Sequence, residues 1–232
     1  MHNIFDLLSA NSYPGRGIVI GTTKDGLNSV VAYFIMGRSQ NSRNRIFVPA
    51  ENGGLKTEAH DASLMTDPSL IIYSPVLCFE GATIVTNGNQ TDTIYEHLTN
   101  NESFESALRT REFEPDMPNY TPRVSGILQP DGSYKLSILK TTDGESCLRF
   151  FFEYPLLPGQ GHFICTYTGD GDPLPSFASE PITVSIEDEF SFWAGKLWES
   201  LDHDNKVSLL VRSIPLNGDE PETIIFNKNT GD

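Results

Sequence analysis

The chain has 232 residues and a formal net charge of −15 at pH 7. This length is sufficient to bury a substantial core, and we expect a single domain over residues 1–232. The negative charge argues against nucleic acid or an anionic membrane as a partner, because both bind basic faces. The sequence has no apolar run long enough to cross a membrane, and its first ten residues lack the basic start of a signal peptide. We therefore expect a cytoplasmic protein.

The first predicted elements are a short helical turn at residues 4–8 and two strands joined by a tight turn. The segments 18–22 and 30–36 are rich in β-branched and aromatic residues, and they flank the turn-forming sequence Lys24-Asp25-Gly26. This pattern predicts an antiparallel hairpin. The second segment is apolar throughout apart from one tyrosine hydroxyl, which indicates a strand that is covered on both faces.

A polar loop rich in arginine follows the second strand. Arg38, Arg43 and Arg45 are three of the nine arginines in an acidic chain, and Asn44 lies between the last two. Guanidinium groups bind phosphate through paired hydrogen bonds, and amides can fill the remaining acceptor positions. A solvated hairpin loop with incidental charge is the alternative interpretation. The concentration of arginines favours an anion site, and pairing of the two strands would bring Arg16 to the same end of the sheet.

The remaining chain alternates strands with a few helices. Strands are predicted at residues 46–49, 70–73, 76–79, 82–86, 133–140, 147–154, 162–168, 182–186, 206–212 and 223–226, with a return to strand after Arg123 and a polar link at 50–61. Helices are predicted from residue 91 or 92, around residues 104–111 and at 187–201. The sum, about ten strands and three helices, predicts an α+β fold with two stacked, mostly antiparallel sheets and helices outside.

Two further segments have more than one interpretation. Asn87 and Asn89 lie in a turn between a strand and a helix, where amides commonly face a ligand, although the segment can equally be only a turn. Arg123 ends the proline-rich segment 114–123, which has no regular structure and forms either a surface wrap or the wall of a pocket.

Several common catalytic and nucleotide-binding motifs are absent from the sequence. It has no phosphate-binding glycine loop of the Walker or dinucleotide type, no His-Glu-x-x-His, no Gly-x-Ser-x-Gly and no Cys-x-x-Cys. The five histidines are scattered, and the three cysteines lie far apart in apolar runs, which predicts buried free thiols. Arginines, amides and tyrosines remain, and they suit binding a phosphorylated small molecule and holding it in a reactive position, with modest proton transfer.

Four segments together resemble the IMP cyclohydrolase family of the archaeal type and its bacterial relatives. They are Tyr13-Pro14-Gly15-Arg16-Gly17, residues 37–45, residues 86–92, and residues 118–123 followed by Ser125-Gly126. The resemblance implies an Ntn-hydrolase-like, four-layer α-β-β-α sandwich. It also implies ring closure of 5-formamidoimidazole-4-carboxamide ribotide to inosine monophosphate (IMP), with release of water and without a cofactor. Met1-His2 supplies no N-terminal Cys, Ser or Thr nucleophile, so a covalent mechanism is not carried over.

For this reaction we hypothesise a set of site residues. The catalytic residues are Tyr73, Tyr33 and Asn87, and the substrate-binding residues are Arg16, Arg38, Arg43, Asn44, Arg45, Asn89 and Arg123. Arg38, Arg43 and Arg45, together with Arg16, would hold the phosphate, and Arg123 would close the pocket from the proline-rich loop. Asn87 and Asn89 would contact base or ribose. Tyr73, or as a second choice Tyr33, would donate to the developing oxyanion and later protonate the leaving oxygen. Another amidohydrolase-like enzyme acting on a phosphorylated nucleoside and a non-catalytic purine-nucleotide-binding module are the alternatives. The sequence leaves the oligomeric state open, a homo-oligomer included.

Overall fold

The computed structural model of the chain describes residues 1–65, 68 and 72–231. Its strands are β1 (Arg16–Thr22), β2 (Asn28–Met36), β3 (Ile46–Pro49), β4 (Leu55–Glu58), β5 (Val76–Phe79), β6 (Ala82–Thr86), β7 (Arg123–Leu128), β8 (Tyr134–Lys140), β9 (Leu148–Tyr154), β10 (Gln160–Cys165), β11 (Ile182–Ser185), β12 (Lys206–Pro215) and β13 (Glu222–Asn227). Its α-helices are α1 (Ile4–Ser9), α2 (Gln40–Arg43), α3 (Gln90–Thr99), α4 (Phe104–Arg109) and α5 (Phe190–Ser200).

The predicted hairpin lies at the centre of a six-stranded antiparallel sheet with the strand order β11-β10-β1-β2-β12-β13. Arg16 pairs with Ile35 and Ile18 with Tyr33, so the expected pairing of the first two strands is confirmed. Gly17 permits this packing, because a Cβ at its position would lie 2.2 Å from the ring of Phe34. The hairpin therefore carries Arg16 and Tyr33 to one end of the sheet interior.

The second sheet has seven strands in the order β3-β4-β5-β6-β7-β8-β9 and packs face to face on the first. A Cβ on Gly126 of β7 would lie 2.7 Å from Ile20 of β1, which shows how closely the sheets approach. Val85 and Ile138 join the core between the sheets. The side chains alternate along each strand, so the neighbouring residue Ile84 belongs to a separate cluster on the opposite face.

Helices lie against both sheets. Ile94 of α3 and Leu108 of α4 pack with Ile84 in the outer cluster of the seven-stranded sheet. On the six-stranded sheet, α1 contacts α5, and α5 contacts β12 and β13 while burying Trp193 and Leu197. The predicted α+β class with two mostly antiparallel sheets is confirmed, and the two sheets form a sandwich.

The structure corrects several predicted boundaries. The segment 50–61 is not only a polar link, since it contains β4, in which Leu55 and Thr57 are buried against exposed Lys56. Four residues with three polar side chains give too weak a local signal, and pairing with β3 supplies the strand geometry. Helix α3 begins at Gln90 with Asn89 as N-cap, earlier than predicted, and α5 is shorter than predicted at both ends.

The structure differs in part from two other predictions, a strand at 70–73 and three buried thiols. The strand predicted at 70–73 lies largely outside the described residues, and Ile72 and Tyr73, which are described, are not in a strand. The three thiols are free as predicted, but only Cys165 is buried. No helix in the described part of the chain has the length and hydropathy needed to cross a membrane.

Candidate active site

Two tyrosines share a hydrogen bond at the end of the hairpin. The hydroxyls of Tyr33 in β2 and Tyr73, just before β5, are 2.7 Å apart. Burial raises the pKa of Tyr33 well above its ordinary value, and proximity to Tyr73 adds to this, while Arg16 and Arg45 oppose it. Tyr33 therefore keeps its proton at neutral pH. If Tyr33 donates to Tyr73, the proton of Tyr73 remains free for another acceptor.

Two guanidinium groups lie beside this pair without a counter-ion. Arg45 is completely buried, and its Nε donates to the carbonyl of Ser42 at 2.8 Å, but its Nη1 has no partner. The Nε of Arg16 is also buried without a partner. Burial and, as a smaller contribution, the charge of Arg16 lower the pKa of Arg45 to about 10. Neither arginine forms an ion pair with a carboxylate among the described residues, so the site attracts an anion.

A group of tyrosines surrounds Arg16. Burial acts to lower the pKa of Arg16, but the phenolic oxygens outweigh it and raise this pKa; they belong to Tyr13, Tyr73, Tyr167 and Tyr33. The rings of Tyr13 and Tyr167 are stacked with centroids 5.9 Å apart. Arg16 therefore remains fully charged.

An open cavity of about 330 Å³ leads to Arg16. Its lining residues come from the first strand entry, the arginine loop and two later loops: Tyr13, Arg16, Arg38, Ser39, Asn41, Ser42, Asp116, Asn119, Thr121, Tyr167 and Leu174. A smaller recess of about 30 Å³ adjoins it and shares Arg16, Asp116 and Thr121 with it. The volume of the larger cavity is within the range of small-molecule sites.

Glu114 faces the recess from the proline-rich loop. Its Oε1 lies 2.6 Å from Nη1 of Arg123, whereas its Oε2 is buried without a partner. Burial raises the pKa of this carboxyl group, although the charges of Arg123 and Arg16 act against the rise. Glu114 therefore has both a raised pKa and an oxygen without a hydrogen-bond partner. It lies in the recess next to the cavity of about 330 Å³, which we call the arginine cavity.

Comparison with known proteins identifies the family. The family described as IMP cyclohydrolase-like protein matches residues 13–219. The chain belongs to this family. It is 25% identical over 199 residues to a protein of Methanopyrus kandleri named IMP cyclohydrolase, and the match covers 78% of this chain and 98% of that protein. The resemblance noted in the sequence is therefore confirmed.

Two other relatives match shorter segments. An IMP cyclohydrolase of Halobacterium salinarum is 32% identical over 132 residues, which is 55% of this chain and 63% of that protein. An IMP cyclohydrolase of Methanococcus maripaludis is 30% identical over 126 residues, 53% of this chain and 61% of that protein. The chain thus spans less than two thirds of these two relatives in the aligned segments.

The residues predicted from the family resemblance divide into two groups. Arg16 and Arg38 line the main cavity, Asn87 lines the recess, and Arg45, Tyr33 and Tyr73 lie next to Arg16. Arg38 forms a 2.5 Å ion pair with Asp170 and lies 5.1 Å from the ring centroid of Tyr13.

The second group lies outside both cavities. Arg43 is exposed and donates to the carbonyl of Gly37 at 2.8 Å, while Asn44 exchanges two hydrogen bonds with Asp61 at 2.7 and 2.8 Å. These contacts fix the shape of the arginine loop. Asn89 caps α3 and accepts hydrogen bonds from Arg123 and Arg111.

Bonds within the protein also occupy Arg123 and Asn87. Arg123 donates to the carbonyl of Glu112 at 2.8 Å and to Oε1 of Gln90 at 2.7 Å, besides its ion pair. Asn87 donates to the carbonyl of Pro122 at 2.8 Å and accepts from the backbone N–H of Val124 at 2.9 Å. These side chains position the loop that carries Glu114.

Sequence reasoning missed several cavity residues. Tyr13 belongs to the same family-like motif as Arg16, but no role was predicted for it. Its position three residues before Arg16 is the signal that could have identified it. Tyr167 and Thr121 gave no local signal, because only the pairing of β1 with β10 and the path of the proline-rich loop bring them to Arg16. In the part of the chain that the structure describes, no three His, Cys, Asp or Glu side chains form a metal-binding group.

A larger cavity of about 490 Å³ lies elsewhere, beside Arg212 of β12. The Arg212 side chain donates to Thr223 Oγ1 at 3.1 Å, to Cys78 Sγ at 3.3 Å and to the carbonyl of Gly53. All three nitrogens of this guanidinium therefore have partners, in contrast to Arg16 and Arg45. The smaller cavity has the unbonded polar groups, and we take it as the candidate active site.

Proposed function

We propose that this protein is an IMP cyclohydrolase that closes 5-formamidoimidazole-4-carboxamide ribotide to IMP with release of water. The observation that carries this proposal is a pair of buried guanidinium groups without a counter-ion among the described residues. One of them, Arg16, lines the cavity of about 330 Å³ and lies near the hydrogen-bonded tyrosines. Membership of the IMP cyclohydrolase-like family supports the same reaction.

In this proposal Arg16 and Arg45 bind the phosphate and Arg38 contributes from the cavity rim. A phosphate supplies the negative charge that the two buried cations lack, and guanidinium binds it through paired, charge-assisted hydrogen bonds. Arg43 and Asn44 act by holding the loop that carries Arg45. The charged substrate does not cross membranes freely, which agrees with the cytoplasmic location predicted from the sequence.

The tyrosine pair acts on the formyl group. The formamido group is attached to the ring carbon next to the ribose-bearing nitrogen, so the formyl oxygen and the phosphate can reach one cluster of side chains. The carboxamide nitrogen attacks the formyl carbon, a C–N bond forms, and the formyl oxygen gains negative charge. Tyr73 donates its proton toward this oxygen while Tyr33 donates to Tyr73, and the nearby cations stabilise the charge.

Proton transfers complete the reaction. The attacking nitrogen must lose a proton, and we assign this proton to Glu114, whose raised pKa makes it a stronger base and whose Oε2 is unbonded. Tyr73 gives the first proton to the formyl oxygen and is reprotonated from solvent, to which Glu114 returns its own proton. The carbinolamine then loses its hydroxyl group, which takes a second proton from Tyr73 and leaves as water, while the former formamide nitrogen releases its N–H proton to solvent and forms the C=N bond of IMP. Asn87 and Asn89 contact base or ribose, or fix the loop end that does so, and Arg123 holds Glu114 in place.

The remaining parts of the proposal concern architecture. A sandwich of two sheets with helices on both is compatible with an Ntn-hydrolase-like, four-layer arrangement formed by one domain over residues 1–232. The chemistry assigned above needs no covalent intermediate and no cofactor, since positioning of two groups on one molecule supplies much of the rate.

Turnover of the formylated ribotide tests the proposal directly. Purified protein is incubated with 5-formamidoimidazole-4-carboxamide ribotide, and IMP is quantified by chromatography against a protein-free blank. We expect IMP to form, and Arg16→Met to raise the KM about 100-fold. Arg109→Met removes an exposed arginine from α4 and is the matched control, with an unchanged KM.

Two outcomes would contradict the proposal. Tight binding of IMP without turnover would identify a nucleotide-binding module. Turnover of other phosphorylated amides, but not of this ribotide, would identify another amidohydrolase-like enzyme.

A further inference from the structure

The seven-stranded sheet ends in a strand with exposed aromatic side chains. β9 pairs with β8 along its whole length, and no strand among the described residues pairs with its other edge. None of the seven residues of β9 is buried, although five of them are Leu, Phe or Tyr. All six residues of β7 in the same sheet are buried. An unpaired edge of this composition is a template for another strand.

Both faces of β9 are anchored to the protein but only partly covered. On one face, Phe152 and Tyr154 pack against the main core, while Phe150 and Leu148 remain 41% and 37% exposed. On the opposite face, Phe151 packs against the smaller core. The strand is therefore held in position, while Leu148 and Phe150 expose apolar surface beside its unpaired edge.

The sequence of β9 is nearly symmetrical about Phe151. Phenylalanine lies on each side of Phe151, and the next positions outward are Arg149 and Glu153, which carry opposite charges. In an antiparallel pair of two copies related by a two-fold axis at Phe151, Arg149 lies opposite Glu153 of the partner subunit. Directly opposed residues have Cβ atoms about 4.5–5.5 Å apart, close enough for an ion pair.

Both charged side chains are partly exposed. The Arg149 side chain is 27% exposed, and its Nη2 lies 3.9 Å from the Glu112 carboxylate. Its Nη1 and Nη2 donate to the carbonyls of Cys147 at 3.2 Å and Arg111 at 2.9 Å. The Glu153 side chain is 68% exposed and contacts Lys135 at 3.1 Å. Two-fold symmetry would form the Arg–Glu contact twice, once on each side of the axis.

We propose that two copies of this chain associate through β9, so that their seven-stranded sheets join edge to edge into one continuous antiparallel sheet. A second copy is the partner because the strand complements its own reversed sequence at both charged positions. Phe150 then lies opposite Phe152 of the partner subunit, and the exposed aromatic surface is covered. This interface is independent of the proposed reaction, because β9 contributes no residue to the arginine cavity.

Cysteine cross-linking tests the register. In protein with Cys78→Ser and Cys147→Ser, Phe151→Cys places two thiols opposite each other, with Cα atoms about 4.5–5.5 Å apart and within reach of a disulfide. Leu148→Cys is the matched control, because its two copies are about 20 Å apart in the same register at about 3.3 Å per residue.

Mild oxidation should give a disulfide-linked dimer of the first variant and none of the second, on non-reducing gels. Equal cross-linking of both variants, or of neither when both are folded by circular dichroism, would overturn the proposed register.

Charge exchange gives an independent measurement that does not depend on the folding of the cysteine variants. Sedimentation equilibrium should show wild-type protein at twice the 25.7 kDa mass of one chain. Glu153→Arg places arginine opposite arginine twice and should raise the dimer Kd about tenfold or more. The double variant Arg149→Glu with Glu153→Arg should recover most of this loss. A monomeric wild-type protein, or an unchanged Kd in Glu153→Arg, would overturn the proposal.

Discussion

Two regions with buried arginines differ in what compensates the positive charge. Arg123 is paired with Glu114 at 2.6 Å and makes further bonds to α3 and the preceding loop. Arg16 and Arg45 lie side by side with unbonded nitrogens and have no ion pair among the described residues. Burial lowers the pKa of both Arg45 and Arg123, but only Arg123 has a carboxylate that acts in the opposite direction as a main contribution.

This difference separates a supporting site from a binding site. A buried ion pair that is complete stabilises local structure once formed, and removal of one partner leaves a costly unpaired charge. Two cations without an anion are costly in the free protein, and a ligand that brings negative charge removes that cost. We therefore assign support of the loop to Arg123 and phosphate binding to Arg16 and Arg45.

The largest expected effect is a loss of stability in Arg123→Met. This change leaves the Glu114 carboxylate buried and unpaired, and we expect the free energy of unfolding to fall by about 3–5 kcal/mol. Urea denaturation followed by circular dichroism measures it. Addition of Glu114→Gln to the same protein should restore part of the loss, and an equal loss in single and double variants would contradict the pairing.

The next effect concerns the tyrosine pair. Tyr73→Phe removes the proposed oxyanion donor, and kcat should fall about 100- to 1000-fold with little change in KM. Tyr33→Phe leaves the Tyr73 hydroxyl in place and should reduce kcat less. Steady-state kinetics with the formylated ribotide measure kcat and KM for each variant. Equal kcat in wild type and Tyr73→Phe would exclude Tyr73 as the oxyanion donor.

Arg45→Met should weaken substrate binding without loss of stability, and this effect should be smaller than that of Tyr73→Phe on kcat. The KM should rise about 100-fold, which corresponds to about 2–3 kcal/mol for charge-assisted hydrogen bonds. The melting temperature should stay the same or increase, because the change removes a buried cation that has no counter-ion among the described residues. A melting temperature that falls as much as in Arg123→Met would show that the two regions do not differ as described.

The smallest effect involves a buried group outside both arginine regions. Nδ1 of His162 shares a hydrogen bond with the Tyr134 hydroxyl at 2.6 Å, and burial lowers the pKa of His162 from 6.5 to about 4. Between these values the unfolded chain binds more protons than the folded protein, so stability is complete above pH 6.5 and declines as the pH falls toward 4. We expect this group to lower the free energy of unfolding by about 2 kcal/mol between about pH 7 and about pH 5.

Denaturation at several pH values, compared with His162→Gln, isolates this contribution. The pH dependence of the variant should be flatter over that interval. Parallel curves for the two proteins would contradict the assignment, and the result gives a reference for pH effects that do not involve the arginines.

Strong local patterns allowed much of the fold to be predicted from the sequence. The apolar run in β2 and the turn before it predict the central hairpin. That hairpin correctly placed Arg16 opposite Ile35, at the end of the sheet that leads into the arginine loop. β4 was missed because its alternation of Leu55, Lys56 and Thr57 is too short to exceed the polar character of the segment. Its strand geometry depends on pairing with β3, which a local pattern does not reveal.

The site was less predictable, since burial and partners decide the state of each arginine. Arg43 and Arg45 are two residues apart in one loop, yet Arg43 is exposed and bonded to the backbone while Arg45 is completely buried. Glu114 gave no signal in the sequence because its role depends on an ion pair with Arg123 across a turn of the loop. The assignment of Arg45 to substrate binding and of Glu114 to catalysis remains a prediction.

Comparison of IMP with inosine tests the central claim most directly, because the two ligands differ only in the phosphate. Isothermal titration should show IMP binding at least about 100-fold more tightly than inosine to the wild-type protein. The double variant Arg16→Met with Arg45→Met should bind both ligands with similar, weak affinity. An undiminished preference for IMP in this variant would contradict phosphate binding by the two buried arginines.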